Sequence, residues 1–497
     1  MTAHLPALIP VAPLVIALLT PILARLSVTL VRITALTALL ISLASSAGAL
    51  QHALVEGTWH YHFGGWAPPW GIEYVIDPLA GIIAVLVSFF CLLVLVYAAP
   101  YLAGKPAQEK GYFYTLYLLL AAGLLGMVVT GDVFNLYVFL EISSLAAYAL
   151  IASGGSRATV AAYRYLLIGT AAASLYLLGI GYLYALTGSL NMADLAVLLP
   201  PLAATNAVAL AVALITIGLG IKMALFPLHG WLPDAYSSAP APVAGILAAV
   251  MAKVSAYAIY RILYFVFKTA APVQVALDIA GWMAAAGILY GSIMAIAQRD
   301  LWRMLAYSSV AQMAYIILGL ALGNIMGLYG ALLQILSHAF TKGCLFLVAG
   351  SISHQTGIRD IPRLARLSRR MPWTLAAFVV AAMSMVGLPP TVGFFSKWYL
   401  MLGAVEAGAW VFVAVLVASS LLTAVYFFRV LEYAYLKEDQ GQVEGQTREV
   451  KAAGGWELAP AMLVPVLILG LGILTLGIFS DQIISGYIHF ALPWRMP

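Results

Sequence analysis

The sequence predicts an all-α polytopic membrane protein, and three features indicate this fold class. Of the 497 residues, 64% are hydrophobic and only 9% are charged, whereas soluble globular domains are about half apolar and about a quarter charged. Apolar runs of about 20 residues, the length that crosses a bilayer as a helix, recur along the whole chain. The basic residues between these runs are concentrated in every second loop, on one side of the predicted membrane. A single membrane domain spanning 1–497 is therefore predicted.

The apolar runs predict about 14 transmembrane helices, which we label TM1 to TM14. In chain order they cover 5–24, 29–50, 78–99, 112–130, 133–152, 162–186, 206–226, 242–264, 274–297, 302–322, 327–350, 375–402, 408–434 and 458–479. The seventh run is interrupted, and its helix is expected to resume after residue 229. The first run is expected to remain as a span, because the residues before it lack the positive charges of a signal peptide.

The basic residues predict the orientation. If the N-terminus lies outside, the odd-numbered loops and their flanks face the cytoplasm and carry most of the arginines and lysines, as expected for cytoplasmic loops. The opposite side carries only Arg261, Lys268 and Arg495. We therefore expect a bacterial or archaeal cytoplasmic (inner) membrane protein with both termini outside. The Trp-rich loop 56–76 fits the outer interface, and 437–455 is expected to be an exposed loop.

Five ionisable residues lie inside the predicted spans: Glu141, Lys222, Lys253, Lys342 and Lys397. A charge at the centre of a bilayer costs roughly 2.5–3.5 kcal/mol. Snorkelling accounts for a lysine near a helix end, but Lys253 and Lys342 are too far from theirs. Burial disfavours a charged lysine and a nearby opposite charge restores it. A buried lysine can therefore gain or lose a proton when a neighbouring charge moves, as a proton relay requires.

Polar residues recur at helical spacing on three spans. They are Lys253, Tyr257 and Arg261 on TM8, Ser308, Gln312 and Tyr315 on TM10, and Gln334, His338 and Lys342 on TM11. Each set falls on one helix face. One such stripe is commonly interhelical hydrogen bonding, but three predict an internal hydrophilic axis. His338 alone fits a core hydrogen bond or a relay equally well, and its position beside Lys342 favours the relay.

Two spans are predicted to be broken beside a lysine. Pro227 follows Lys222 on TM7, and the pair 389–390 precedes Lys397 on TM12. Proline removes a helical donor and disrupts the turn, and broken helices at membrane depth line cavities or transport sites. The alternative is a pair of ordinary proline kinks.

TM7 and TM12 are five helices apart, which predicts two repeats, TM4–TM8 at 112–264 and TM9–TM13 at 274–436. An odd number of helices makes the second repeat inverted relative to the first. TM1–TM3 at 1–111 precede the repeats, and TM14 at 458–479 follows them.

Three stretches resemble a known family. They are DVFNLYVFLEISS from Asp132, KMALFPLHGWLPDA from Lys222 and LSHAFTK from Leu336. They are similar to the antiporter-like subunits shared by respiratory complex I, membrane-bound hydrogenases and Mrp-type cation/proton antiporters, and above all to the D-type Mrp subunit. The resemblance covers almost the whole chain.

The resemblance implies roles for individual residues. Glu141 would pair with Lys222, and Lys253 would link two half-channels. His338 and Lys342 would continue the path to Lys397, at the exit channel.

Four further residues are expected to support the path. His229 and Asp234 match the TM7 motif of the family and are expected near the channel. Ser308 and Gln312 belong to the TM10 stripe.

The expected function is proton translocation within a multisubunit monovalent cation (Na⁺)/proton antiporter. Other membrane subunits, protons and Na⁺ are the expected partners, with no nucleic acid. Neither cofactor nor metal is expected, because Cys91 and Cys344 lie apart in apolar runs and no nucleotide-binding or hydrolase motif is present. Three alternatives remain open: a proton-pumping subunit of a complex I-like, hydrogenase or carbon-uptake redox complex, a stand-alone solute transporter, and a structural scaffold.

Overall fold

The computed structural model describes residues 4–268, 270–437 and 457–492 and is helical apart from one small hairpin. Twelve helices in the described residues are long and apolar enough to cross a membrane. They are TM1 Leu5–Leu26, TM2 Val28–Val55, TM3 Pro78–Tyr101, TM4 Ala107–Val129, TM5 Val133–Ala152, TM6 Ser156–Thr187, TM8 Ala241–Val266, TM9 Ala271–Ala297, TM10 Leu301–Ala321, TM11 Ile325–Thr356, TM13 Trp410–Leu436 and TM14 Pro460–Ile478.

The other two predicted spans are broken helices, as predicted. TM7 consists of Asn206–Lys222 and Leu232–Ser238, and TM12 of Pro372–Val386 and Val392–Glu406. The all-α polytopic fold class is thereby confirmed. Within the exposed loop predicted at 437–455, residues 438–455 lie outside the described residues, and so does Arg495.

Short elements connect the spans. They are the helices Met192–Leu198, Leu367–Arg370 and Ser480–Gly486, and the single 3₁₀ turns Phe63–Gly65, Pro200–Leu202, Ile361–Leu364 and Ile488–Ala491. TM8 contains two π-helical stretches, Leu247–Met251 and Arg261–Val266, and TM13 ends in a third, Glu432–Leu436.

The loop 56–76 folds into a β-hairpin that the hydropathy pattern did not predict. Strand β1 is Trp59–His62 and strand β2 is Glu73–Ile76, antiparallel, with His62 opposite Glu73. Four-residue strands are too short to give a clear period-2 signal in the sequence.

Glu73 anchors this hairpin. Its carboxylate lies 2.5 Å from Nδ1 of His60 and 3.4 Å from Nε2 of His62, and it accepts a hydrogen bond of 2.8 Å from Asn191. The Glu73 hydrogen bond raises the pKa of His60 above 6.5, against partial burial and with further help from Asp77. Burial pushes the pKa of Glu73 upward, but the hydrogen bonds from His60 and Asn191 outweigh it and hold that pKa below 4.5.

These opposite pKa shifts predict a pH-dependent contribution to stability. The pair stabilises the fold fully between pH 4.5 and pH 6.5, which are the ordinary pKa values of Glu73 and His60. That contribution is lost as the pH rises through the raised pKa of His60 or falls through the lowered pKa of Glu73. We expect His60→Gln to lower the unfolding temperature in detergent at pH 6, and to lower it less at pH 9. The control Trp70→Ala, which changes no titrating group, should shift the unfolding temperature equally at pH 6 and pH 9. If His60→Gln also shifts it equally at the two pH values, the prediction is contradicted.

A backbone bridge occurs once in each predicted repeat. Residues 131–133 before TM5 exchange hydrogen bonds of 2.8 and 2.9 Å with 190–192 after TM6. Residues 299–301 before TM10 exchange two bonds of 2.9 Å with 359–361 after TM11. The same bridge at equivalent places supports the two-repeat architecture, whose exact boundaries stay a prediction.

The centre of the molecule is formed by TM8, TM10 and TM11, which are almost entirely buried. TM1, TM2 and TM13 are about one-third buried and present most of their surface outward. The three polar stripes found in the sequence therefore lie on the three most enclosed spans.

Candidate proton-translocation site

The first half of TM7 ends at Lys222 because the following chain cannot continue the helix. Pro227 has no N–H to donate, and Ala224 adopts a left-handed φ of 61°. The carbonyl of Ile221 at the break accepts a hydrogen bond of 2.8 Å from the indole of Trp231. The break is thus a fixed turn that holds Lys222 at the C-terminal end of a half-helix, where the helix dipole favours a cation.

The ammonium of Lys222 faces TM5. Its Nζ lies 3.4 Å from Oε1 of Glu141 and donates to Ser144 at 2.7 Å and to Tyr148 at 3.2 Å. The Lys222 side chain is 2% exposed and that of Glu141 is 22% exposed. The carboxylate is therefore partly accessible at the surface of this chain, whereas the amine is enclosed.

Ser144 and Tyr148 were not predicted as parts of this site. Together with Glu141 they recur at i, i+3 and i+7 on TM5, a spacing that lies on one helix face. That stripe was the signal in the sequence that could have identified them.

Lys253 lies at the centre of TM8 and is 1% exposed. Its Nζ donates to the carbonyl of Ala248, which belongs to the first π-helical stretch of TM8. Snorkelling does not explain this lysine, because its ammonium is held inside the protein.

His338 and Lys342 are buried on TM11 near Lys253. The Nζ of Lys342 donates to the carbonyl of Leu305 at 2.9 Å and to the hydroxyl of Ser308. His338 is close enough to Lys253 and Lys342 to interact with both electrostatically. Both of its ring nitrogens are buried without a hydrogen-bond partner in the described part of the chain.

This central group consists of three buried bases that lie within electrostatic range of one another. Like charges repel strongly in a low-dielectric interior, so a proton on one member disfavours a proton on the next. The group can therefore pass protons along while holding few at a time.

Lys397 follows the break in TM12, whereas Lys222 precedes the break in TM7. TM12 stops at Gly387, which adopts a φ of 92° that favours glycine. The Nζ of Lys397 reaches back to the carbonyls of Met385 and Val386, at 2.7 and 3.0 Å. Both lysines therefore hold their ammonium groups near the C-terminal end of a first half-helix, although they occupy opposite sides of the two breaks.

Gln312 joins a chain of amides. Its Oε1 accepts a hydrogen bond of 2.7 Å from Gln334, whose own Oε1 accepts one of 2.6 Å from Ser396. These bonds tie TM10, TM11 and TM12 together beside the lysines.

His229 and Asp234 lie on the stretch after the TM7 break. The ring of His229 packs 4.9 Å from that of Tyr290, and its Nδ1 is buried without a partner in the described chain. Asp234 pairs with Arg164 of TM6 at 3.0 Å and with Arg303 of TM10 at 3.2 Å. Asp234 therefore links the two predicted repeats through its ion pairs with these two arginines.

Within residues 4–268, 270–437 and 457–492, no group of three His, Cys, Asp or Glu side chains is placed to hold a metal ion. The buried lysines bind hydroxyls, backbone carbonyls and one carboxylate. Such an arrangement suits the transfer of protons between bases.

Comparison with known proteins identifies the family. A family profile described as "NADH:quinone oxidoreductase/Mrp antiporter, TM" matches residues 130–423, a range that includes every residue of the candidate site. The chain belongs to this family. It is 64% identical to an N-type subunit of NADH-quinone oxidoreductase from Desulforudis audaxviator over 100% of both chains. It is 33% identical to a D-type Na(+)/H(+) antiporter subunit from Alkalihalophilus pseudofirmus over 86% of both chains.

Solved structures of the family share the fold. The Mrp complex of Dietzia sp. DQ12-45-1b contains a chain with a TM-score of 0.87 and 27% identity, covering 99% of this chain and 97% of that one. The membrane-bound sulfane sulfur reductase, an archaeal respiratory complex, contains one with a TM-score of 0.89 and 28% identity, covering 99% and 98%. The predicted resemblance is confirmed, and the N-type oxidoreductase relative is more similar to this chain than the D-type antiporter relative is.

Proposed function

We propose that this chain is the proton-translocating subunit of a multisubunit membrane complex. One observation carries the proposal: buried bases and one carboxylate extend from TM5 to TM12 through the most enclosed helices of the fold. The series is Glu141, Lys222, Lys253, His338, Lys342 and Lys397. Buried charge of this density is costly in a membrane and marks ion pathways.

The Glu141–Lys222 pair acts as the switch. While the carboxylate stays near the ammonium, it stabilises the protonated lysine. When Glu141 turns toward water or a neighbouring protein chain, the buried ammonium loses its counter-charge and releases its proton inward. The proton then crosses through the central group to Lys397 and leaves by the second half-channel. His229, Asp234 and Gln312 support this route by holding the helices around it, and Ser308 supports it by accepting a hydrogen bond from Lys342.

Two driving reactions are candidates, and the relatives divide between them. The first is exchange of protons for a monovalent cation, Na⁺ above all, which is favoured by the D-type antiporter relative and by the fold shared with a chain of the Mrp complex. Moving one charge through 100 mV is worth about 2.3 kcal/mol, enough to drive exchange when more protons than cations move.

The second candidate is a redox reaction in partner proteins of the complex. The full-length relative named as part of NADH-quinone oxidoreductase favours it, and so does the similar chain in the sulfane sulfur reductase. In both cases the partners are other membrane subunits, and the proton route in this chain is the same.

We also propose a membrane placement and a division of the chain. Both termini lie outside a bacterial or archaeal cytoplasmic membrane. The first repeat spans 112–264 and the second 274–436, with TM1–TM3 within 1–111 and TM14 at 458–479. The distribution of basic loop residues supports the orientation.

The driving reaction is tested in everted vesicles that carry the whole operon. Na⁺, K⁺ or Li⁺ is added to vesicles with a preformed pH gradient, and an electron donor is added to a second sample without a gradient. Dissipation on adding a cation supports antiport, and acidification on adding the donor supports the redox-driven reaction. If neither treatment moves protons, the proposed function is wrong.

A further inference from the structure

TM13 carries a stripe of hydroxyl side chains that neither the sequence analysis nor the family resemblance assigned. Ser419, Thr423 and Tyr426 are completely buried, and Ser420 is partly buried beside them. Positions i, i+4 and i+7 lie on one helix face, and the opposite side of TM13 presents apolar residues outward, among them Leu421 and Phe428.

One end of the stripe meets Lys342. The Nζ of Lys342 donates to the hydroxyl of Ser308, and the Ser308 side chain lies beside the hydroxyl of Tyr426. Tyr426 in turn donates to Oγ1 of Thr423 at 3.3 Å. Three hydroxyl groups therefore lead away from the last base of the central group.

The other end of the stripe meets Lys397. Its Nζ donates to the hydroxyl of Ser420 at 3.2 Å and lies 5.2 Å from the ring centre of Tyr315. The hydroxyl of Tyr315 lies near Ser419 and Ser420. It makes no aligned hydrogen bond with the described residues, although it is completely buried.

We propose that the hydroxyls of Ser308, Tyr426, Thr423, Tyr315 and Ser420, in that order, conduct protons between Lys342 and Lys397, with water joining Thr423 to Tyr315. This inference rests on the proposed function. It adds a specific route for a segment that the predicted path left without residues.

The transfer balances as a series of hops. The ammonium of Lys342 gives a proton to the oxygen of Ser308, whose own hydrogen turns from the carbonyl of Leu305 to Tyr426. Thr423 likewise turns its hydrogen away from the carbonyl of Ser419, and each later hydroxyl passes its own proton on. The neutral amine of Lys397 accepts the last one. Lys342 ends as a neutral amine, Lys397 as an ammonium, and each hydroxyl recovers its proton count.

The parallel amide chain is a poorer conductor. A hydroxyl oxygen donates and accepts at one atom, whereas an amide separates its donor nitrogen from its acceptor oxygen. A proton crossing Gln312 or Gln334 would have to leave the nitrogen while another binds the oxygen, which creates an unstable tautomer. The amides are also engaged with each other and with Ser396. They hold the helices in place while the hydroxyl stripe conducts.

The test is proton flux through the whole complex in liposomes carrying a pH-sensitive dye. We expect Thr423→Val combined with Tyr426→Phe to lower the flux about tenfold, equivalent to roughly 1.4 kcal/mol of added barrier. Restoring a hydroxyl in Thr423→Ser/Tyr426→Phe should recover part of the flux, and the solvent deuterium isotope effect should increase in the Thr423→Val single variant. If Thr423 and Tyr426 only held the helices in place, neither the partial recovery of flux in Thr423→Ser/Tyr426→Phe nor the larger isotope effect in Thr423→Val would be observed.

Matched controls are available elsewhere in the chain. Thr20 is completely buried on TM1 and donates to the carbonyl of Ile16 at 2.7 Å, as Thr423 donates to that of Ser419 at 2.7 Å. Tyr97 is completely buried on TM3 and donates to the carbonyl of Leu347 at 2.9 Å. Thr20→Val and Tyr97→Phe should keep the wild-type flux.

The outcomes separate this inference from the proposed function. If Lys222→Ala abolishes flux while the assembled Thr423→Val/Tyr426→Phe complex retains the wild-type rate, the hydroxyl route is wrong and the lysine path stands. If the double variant does not assemble, the Thr423→Val single variant decides: wild-type flux with an unchanged isotope effect overturns the route. If the wild-type complex itself moves no protons, the proposed function fails.

Discussion

Replacing Lys222 with alanine is expected to reduce proton translocation by roughly 100-fold or more, to the background of the membrane, because a positioned proton carrier contributes on that scale. Glu141→Gln should have a similar effect, since a neutral amide cannot switch the charge on the lysine. Both variants should assemble: the first leaves a carboxylate that is 22% exposed rather than buried like Asp77, and the second retains the shape of the side chain. Proton flux and the content of each protein are measured on the same purified complex.

The chain offers a matched control for this pair. Lys105 and Glu109 form an ion pair of 3.3 Å on the surface, with side chains 48% and 56% exposed, against 3.4 Å for the buried Lys222–Glu141 pair. Lys105→Ala and Glu109→Gln should leave the flux unchanged. Normal flux in an assembled Lys222→Ala complex would contradict the role of Lys222.

Replacing Arg261 with leucine is expected to lower the free energy of unfolding by about 3–5 kcal/mol, the usual cost of breaking a buried ion pair from one side. Arg261 pairs with Asp77, and both side chains are about 5% exposed or less. The carboxylate of Asp77 also accepts the N–H of Ala80 at 2.8 Å and so caps TM3. Loss of the arginine leaves this carboxylate buried without its counter-charge.

A second substitution tests the cause. Asp77→Asn in the Arg261→Leu background removes the unpaired charge and keeps an oxygen for the cap, so part of the lost stability should return. Arg164→Leu is the control, because Arg164 is 63% exposed and its ion-pair partner Asp234 is 29% exposed. This substitution should lower the free energy of unfolding by about 1 kcal/mol or less. Stability is measured by denaturant or thermal unfolding in detergent. Equal costs for Arg261→Leu and Arg164→Leu would show that burial does not govern the effect.

The sequence predicted those features that repeat along single helices. Every predicted span corresponds to a helix or a broken helix, because hydrophobic length is a local property. The breaks after Lys222 and before Lys397 follow from proline and glycine chemistry. The contact between Lys222 and Glu141 came from the family resemblance, since no spacing rule joins TM5 to TM7.

Contacts between helices were beyond sequence reasoning. Arg261 was expected on the outer side of the membrane, because a charge near the end of a span usually lies at the interface. At that end of TM8 its side chain is buried, because Asp77 at the start of TM3 pairs with it. The reach of Lys397 back to Met385 depends on the exact turn between the two halves of TM12, which proline positions alone do not define.

The polar stripe on TM13 was missed for a different reason. Serine and threonine are common packing residues in membrane helices, so Thr423 carries no signal until a lysine is found at each end of its stripe. The hairpin before TM3 escaped notice because its strands are too short to give a periodic pattern.

One measurement tests the central claim most directly: proton flux through liposomes that contain the complex with Lys222→Met, Lys397→Met, or both. If the two lysines lie on one continuous route, each single variant stops the flux and the double variant is no worse than either. If each single variant instead retains about half of the wild-type flux and only the double variant loses it, the lysines serve separate parallel routes, and the account of a single path through the centre of the protein is wrong.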